Sequence, residues 1–413
     1  MPKGFTVDDA VVIGQRLAAH GVDILSLSVG TYESYNRLSM VSGEPEGPWL
    51  NLAGRVRSEI QIPVVGVGRI KRPEFAEEAI RNNLVDFAAI GRGSITDPDF
   101  PKKAHVAGYA TSCTSCNLCL GRKARPGMIC PINPFVGREV MLANLKRDRS
   151  RRIVIHGGGF AALTAAWLAA SRGHAVSVVE EEGDYGGMQG WRSHVPGQAE
   201  YADAVKAIIG RARLAGVTFS STSEYEEEDM DIVWSVRRFE PAARLKIDGK
   251  HHLTSFDVLR DSERELPERI LVIGDDLSAA DAALVLAGKG HAVVLRSPSA
   301  DIAFDAHPGF RTVNRDLLRS YGATVETLIP FEKLHTDIDF DAMVVGRIPD
   351  RLGNKNESST SWNGDVQAAV LEDAYEPSAL VKCVYRGVDL VLGALDGSTI
   401  QVSELTRSLG QLR

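Results

Sequence analysis

Four cysteines fall within one short run, CTSCNLCLGRKARPGMICP: Cys113, Cys116, Cys119 and Cys130. The first three follow a C-x2-C-x2-C spacing. Ten residues separate the third from the fourth, which precedes Pro131. Thiols this close along the chain do not readily pair as disulfides. They can wrap one face of an iron–sulfur cube while a fourth, arriving from further along, closes it. Structural zinc more often takes two separated C-x2-C pairs, and uncoordinated thiols are the remaining alternative. The spacing predicts a [4Fe–4S] cluster, and hence a protein that moves single electrons.

A second chemical signature follows a basic linker at 144–152. In RRIVIHGGGFAALTAAWLAASRGHAVSVVEEE, Gly157, Gly159 and Ala162 form G-x-G-x-x-A between a strand at 153–155 and a helix at 160–172. A second strand at 175–179 ends at Glu180. The first glycine allows a tight turn and the second lets the backbone approach a pyrophosphate. The third position permits helix–strand packing, and the acid can bind a ribose hydroxyl. This pattern predicts a site for a dinucleotide or ADP. A second strand–turn–helix start at 269–297 keeps Gly274 but puts Asp276 and Ala279 at the next two positions. Asp275 and Asp276 set carboxylates where a phosphate needs open backbone and positive potential. The fold is expected there, without working NAD(P)H binding.

Upstream of the cysteines, residues 1–110 alternate helix and strand. Thr6 and Asp9 resemble a capping box opening a helix to about His20. Strand patterns at 22–30, 62–68 and 85–91 are separated by helices near 49–60 and 73–83. Such alternation implies parallel βα units. The strand ends carry Gly68-Arg69 and Gly91-Arg92, either turn glycines or backbone opened toward a phosphate, as in the last loops of a βα-barrel. A closed barrel needs about 250 residues, and 112 residues precede Cys113.

Composition narrows the class. The 413 residues suggest two or three domains. A net charge of −7 gives no reason to expect nucleic acid or an anionic membrane as partner. No apolar run reaches the length of about 18 residues needed to span a bilayer. Four of five cysteines lie in the cluster motif, with Cys383 apart. That usage fits a reducing cytoplasm.

Together these motifs resemble the trimethylamine dehydrogenase and 2,4-dienoyl-CoA reductase class of iron–sulfur flavoproteins. That class fuses an Old Yellow Enzyme-like FMN barrel to a glutathione-reductase-like pair of nucleotide domains. VVGVGRIKRPEFAEEAI and DFAAIGRGSITDPDFPKKA look like its last two barrel units, and MICPINP like the stretch around the fourth ligand. GGMQ (186–189) and DAYEPSALVKCVYRG (373–387) look like its later nucleotide motifs. The two-residue gap between Cys116 and Cys119 matches the amine dehydrogenase branch.

The resemblance implies an α/β fold. Residues 1–110 are a partial TIM barrel, its last three βα units, and 111–150 are the cluster segment. An FAD- or ADP-binding Rossmann-like domain takes 151–260 with 338–413, and a degenerate second one takes 261–337. Gly68, Arg69, Gly91 and Arg92 would hold the FMN phosphate end. Gly157, Gly159, Ala162, Glu180, Gly187 and Asp373 would bind ADP or FAD. Arg122, Lys123 and Arg125 would offset cluster charge or form a solvated loop. Trp234-Ser235-Val236-Arg237 and Glu372-Asp373 depart from the family's motifs, favouring ADP or an empty site over FAD.

The implied activity is oxidative N-demethylation of a methylated amine or amino acid, with electrons leaving to an electron-transferring flavoprotein. The implied alternatives are an NAD(P)H-dependent enoate or 2,4-dienoyl-CoA-type reductase subunit, and a non-catalytic electron-transfer or scaffold subunit. Since five barrel units are not in the sequence, a separate subunit is expected to supply them, together with the catalytic residues and part of a shared FMN site.

Overall fold

The computed structural model describes residues 4–31, 34–103, 113–120, 128–140, 150–221, 230–237, 251–346 and 367–372, with 383–385, 388 and 391. Asp373, Arg122, Lys123 and Arg125 lie outside the described residues.

The first helix, Val7–Ala19, begins where the sequence places it. The Thr6 hydroxyl accepts from the Asp9 amide, and the Asp9 carboxylate accepts from the Thr6 amide, so two of the helix's orphan N–H groups are satisfied reciprocally. Three strands follow, β1 (Leu25–Leu27), β2 (Val64–Val67) and β3 (Phe87–Ala89), pairing in parallel in that order. The helices Leu50–Arg57 and Pro73–Arg81 connect them. Leu50, Val56, Val64 and Val85 are buried between sheet and helices. Asp86, just before β3, accepts from the Val64 amide and from the Arg57 guanidinium, pinning strand to helix. Among the described residues β1 and β3 are open edges of this sheet. Phe87 on β3 and Ile24 beside β1 are about half exposed.

The second sheet is five-stranded and parallel, in the order β13 (Gln367–Glu372), β7 (Ile232–Arg237), β4 (Arg152–His156), β5 (Ala175–Val179), β6 (Thr218–Ser220). The helix Phe160–Ser171 packs on it and is buried nearly all round. Its alanines 161, 162, 165, 166 and 169 let the helix axis come close to the strands, and Ala162 is fully buried. The third sheet runs β11 (Thr324–Glu326), β10 (Ala292–Arg296), β9 (Arg269–Ile273), β12 (Ala342–Val345), β8 (His251–Thr254), again all parallel.

The two sheets share a layout, a central strand that opens a βαβ unit, but the sequence boundaries between them need correcting. Residues 251–254 and 342–345 form a ladder with each other, and β12 pairs with β9, so both strands belong to the second nucleotide-type sheet. The expected limits of 261 and 337 cut off its two strands on that side. They are four residues each, and neither is followed by a G-x-G-x-x-A turn to mark which sheet it joins.

Candidate functional site

The cysteine segment meets the first sheet's unit through Arg92 and Thr96, and Cys130 joins the core under the second sheet. Cys113, Cys116 and Cys130 are buried and Cys119 is half-buried. Ser115 and Asn117 take left-handed backbone conformations, φ 51° and 61°. These two reversals between the ligand positions curl the C-x2-C-x2-C loop. The Ser115 amide donates to Cys113 Sγ at 3.3 Å and the Asn133 amide to Cys130 Sγ at 3.4 Å. Thr96 Oγ1 lies 3.8 Å from Cys130 Sγ. Such N–H···S contacts stabilise negative charge on sulfur.

Burial first, and then the neighbouring thiols, raise Cys116 far above the ordinary thiol range. Burial and then Cys113 push Cys130 up to about 12. Cys119 rises to about 11 through burial and then Cys113, with Arg92 pulling it back. A bare site therefore disfavours thiolates at Cys116, Cys119 and Cys130, and a bound cationic centre would supply what they lack.

Among the described residues no three His, Cys, Asp or Glu side chains converge tightly enough for a single metal ion. The thiols nevertheless act on one another electrostatically. A zinc ion needs four sulfurs each at about 2.3 Å. Four thiols, three of them buried, are a donor type that both zinc and an iron–sulfur cluster take.

The glycine loop after β4 is built as the spacing predicts. Gly157 has φ 100°, and Gly159 begins the helix Phe160–Ser171 with no side-chain cap. Gly186, φ 102°, bridges to Gly159 and donates its amide to the Gly158 carbonyl at 2.7 Å. The Gly186–Gly187 corner and the G-x-G loop therefore meet. Glu180, at the end of β5, is buried and accepts from the Gly158 amide at 2.6 Å. Open N–H groups at a 12-residue helix start, a left-handed glycine and a nearby carboxylate fit an adenine nucleotide.

The corresponding start after β9 is closed. Asp276 caps the helix Leu277–Gly288, accepting from the Ser278 amide at 3.1 Å and from its hydroxyl. The Asp305 carboxylate accepts from the Leu277 amide at 2.7 Å. Two carboxylates thus take the N–H groups a pyrophosphate would use, and their charge opposes it. The sequence shows Asp276 in this role. Asp305 arrives from a loop 28 residues on and gives no local signal.

Of the four residues expected at an FMN phosphate, the two arginine side chains turn to protein partners. Gly68 and Gly91 sit at the C-terminal ends of β2 and β3. Arg69 instead turns into a buried ion pair with Glu200, at 2.6 and 2.7 Å from its two oxygens. Lys71 joins the same carboxylate at 2.9 Å. Arg92 reaches the cysteine loop, donating to Met40 O at 2.6 Å and to Asn117 Oδ1. Both arginines thus have protein partners, while Gly68 and Gly91 keep the strand-end positions at which backbone amides could meet a phosphate.

Two features escaped the sequence. One is the Glu200 junction, which ties the first sheet to the helix Glu200–Leu214. The other is a fully buried network between the two nucleotide-type units. Arg192 donates to Tyr201 Oη and Gln198 Oε1, each at 2.7 Å, and pairs with Asp281, which also accepts from Gln198 and Asn314. A cavity of about 410 Å³, with Thr96, Asn133, Phe135, Trp167 and Arg211 in its walls, opens beside Cys130.

The sequence pattern of NAD(P)-binding Rossmann-like domains matches residues 155–203, which span the G-x-G loop and the Gly186–Gly187 corner. The NADH oxidase of Thermoanaerobacter brockii is 30% identical over 93% of this chain and 63% of its own length. The cinnamate reductase of Clostridium sporogenes is 27% identical over 73% of this chain and 46% of its own. A probable N-methylproline demethylase of Rhizobium meliloti is 26% identical over 73% and 47%. This chain therefore spans about half to two-thirds of these relatives' lengths. Among solved structures, 2-naphthoyl-CoA reductase superposes with TM-score 0.79 at 21% identity, over 96% of this chain and 63% of that one. Histamine dehydrogenase from Rhizobium sp. 4-9 gives 0.75 at 22%, over 96% and 64%. At these identities the structures speak for the fold, which is shared along almost the whole chain.

Proposed function

We propose that this chain is the iron–sulfur and adenine-nucleotide part of an oxidoreductase of the amine or enoate type, and on the amine side of that divide. Its substrate would be an N-methylated amine or amino acid, and its electrons would leave singly to an electron-transferring flavoprotein. The relatives' names support the broader class, since they are oxidases, reductases and a demethylase.

One observation carries the finer reading: the two helix starts differ. The first is an uncapped glycine start beside Glu180, and the second is closed by Asp276 and Asp305. An enzyme fed by NAD(P)H through the second unit needs that start open. One that draws electrons from its organic substrate does not.

Cys113, Cys116, Cys119 and Cys130 would hold the cluster. The amides of Ser115 and Asn133 favour its electron-rich state by donating to sulfur. The N–H groups after Gly159 would receive the pyrophosphate of ADP or FAD, and Glu180 stands near for a ribose hydroxyl. When bound, FMN supplies hydride acceptance and the cluster one-electron relay. The open edges of β1 and β3 call for further strands, since unpaired edges are an association hazard. We assign those strands, the catalytic residues and the rest of the FMN site to a separate partner subunit.

Anaerobic mixing of the assembled enzyme tests the reading. N-methylated substrates should bleach the flavin, and NADH and NADPH should not. Rapid bleaching by NADH would instead support the reductase alternative, which the names of the NADH oxidase and cinnamate reductase relatives favour.

A further inference from the structure

The helix Glu200–Leu214 is tied to the first sheet at both ends. At its start, Glu200 accepts from Arg69 and Lys71, which follow β2 and Gly68, at 2.6–2.9 Å. Near its end, Arg211 donates to Asp97 at 3.3 Å, and Lys103 donates to both oxygens of the same carboxylate at 2.8 Å. Asp97 is buried and ends the short helix Arg92–Thr96, which follows β3 and Gly91. The charges run in opposite senses: the helix brings the acid to one strand end and the cation to the other. Eleven residues separate Glu200 from Arg211, about 16 Å of helix, so one rigid rod spans both loops.

The same helix packs on the nucleotide loop. Val205, in its second turn, lies against Gly186: a Cβ on that glycine would fall 2.5 Å from Val205 Cγ1. Gly186 in turn donates to the Gly158 carbonyl and bridges to Gly159. Ala204, Ile208 and Ala212 share a core with Ala161, Ala162 and Ala165, on the helix that Gly159 opens. The Arg211 guanidinium sits over the ring of Trp167, on that same helix, 5.2 Å from its centroid. Elements packed this closely shift as units, because a dense interior does not deform continuously. A group that orders the amides after Gly159 therefore acts on a body whose far side carries both strand ends.

We infer that an adenine nucleotide at the Gly157–Gly159 loop acts as an effector of the first sheet: through the helix Glu200–Leu214 it holds the loops after β2 and β3 in place. Glu200 and Arg211 are the positioning residues. The inference rests on the nucleotide reading above and needs neither the cluster nor a flavin. Its physical content is linkage. A ligand that binds only the closed arrangement suppresses every opening that would release it. Gly68 and Gly91 stand at the ends of the two strands concerned. Occupancy of the nucleotide site thus sets the order of loops that belong to a different site.

The test is native-state hydrogen exchange on the full chain, stripped of nucleotide and then with ADP added, after calorimetry has given the Kd of each protein. At 100 times Kd, an opening fully linked to the ligand is suppressed about 100-fold, which sets the upper limit. Amides of Val64–Val67 and Phe87–Ala89 should slow by at least about threefold, along with those at the start of Phe160–Ser171. Glu200→Ala combined with Arg211→Leu should bring the ratio at the two strands below about threefold and keep it at Phe160–Ser171. A merely structural role for the two residues would speed exchange with and without ADP alike and leave the ratio as it was. Should the double variant not fold, Val205→Ala, which leaves both ion clusters intact, takes its place and should lower the same ratio. ADP that binds and protects Phe160–Ser171 while the strands slow by less than about threefold overturns the inference. So does a ratio that survives in the variant. ADP that does not bind the parent refutes the nucleotide reading itself, and calorimetry separates that result from the others.

Discussion

Removing the Glu200 carboxylate should loosen the first sheet from the rest of the molecule. Glu200 faces two cations at 2.6–2.9 Å, and the three side chains are 3%, 6% and 10% exposed. Breaking a buried pair by deleting one partner costs about 3–5 kcal/mol, because the remaining charge is left desolvated. Glu200→Ala leaves two such charges facing each other, so the upper part of that range applies. At about 1.4 kcal/mol per factor of ten, about 4–5 kcal/mol raises the locally open population by about 10³-fold or somewhat more. Native-state hydrogen exchange reads this directly. Amides of Val64–Val67 and Phe87–Ala89 should exchange faster by that factor, while those of β4 and β5 hold. A global melting curve is less suitable, since several units need not unfold in one step. A companion variant, Arg69→Met with Lys71→Met and Glu200→Leu, should recover most of the protection, as replacing whole buried ion clusters by apolar side chains often does. Exchange in β2 and β3 within about threefold of the parent in E200A would refute the reasoning. Failure of the triple variant to recover would show that shape, and not charge, holds the junction.

Cys116→Ser should abolish the iron–sulfur absorbance and iron content, because a cube needs all four thiolates; visible spectroscopy and metal analysis check it. In the metal-free protein, alkylation of Cys119 should keep accelerating with pH through about 10, where an ordinary thiol has levelled off near its pKa of about 8.5, because its own pKa lies at about 11. Gly186→Ala should destabilise the nucleotide loop and weaken ADP binding in calorimetry, since φ is 102° and a Cβ would fall 2.5 Å from Val205 Cγ1. His307 is depressed to about 4, first by burial and then by Arg92 and Arg311. The unfolded chain therefore binds a proton at this site before the folded one does. Stability should fall as pH drops from about 6.5 toward 4, and His307→Gln should flatten that slope in urea titrations at stepped pH.

What was legible in the sequence is local. The Thr6–Asp9 box, the strands before Gly68 and Gly91 and the G-x-G loop each act within a few residues, and each appears in the fold at its place. Asp276 could be read as an obstacle to a phosphate because its carboxylate lies next to the amides a phosphate would use. Arg69 and Arg92 could not be read. Both follow a strand and a glycine, the pattern of a phosphate loop, and their actual partners, Glu200 and Asn117, are 131 and 25 residues away. The domain limits at 261 and 337 missed β8 and β12 for a similar reason. Four-residue strands carry no mark of which parallel sheet will take them, and the choice is settled by packing across the sheet.

The pairing of one open and one closed nucleotide start bears on how electrons can move. Every helix start leaves amides that need an acceptor. In the first unit the amides after Gly159 face Glu180 and the Gly186–Gly187 corner without a side-chain cap, so a bound phosphate is the natural acceptor. In the second, Asp276 and Asp305 serve from within, which stabilises the ligand-free fold by about 1 kcal/mol per cap and removes the reason for a dinucleotide to bind. The Arg192–Asp281 network then fixes this closed unit to the first one through side chains with no solvent exposure. The second unit is thereby a buttress for the helix Glu200–Leu214, whose first turn also holds the Glu200 junction to Arg69 and Lys71. On the proposed reading, a second unit closed in this way would leave the cysteine segment as the route by which electrons enter or leave this chain.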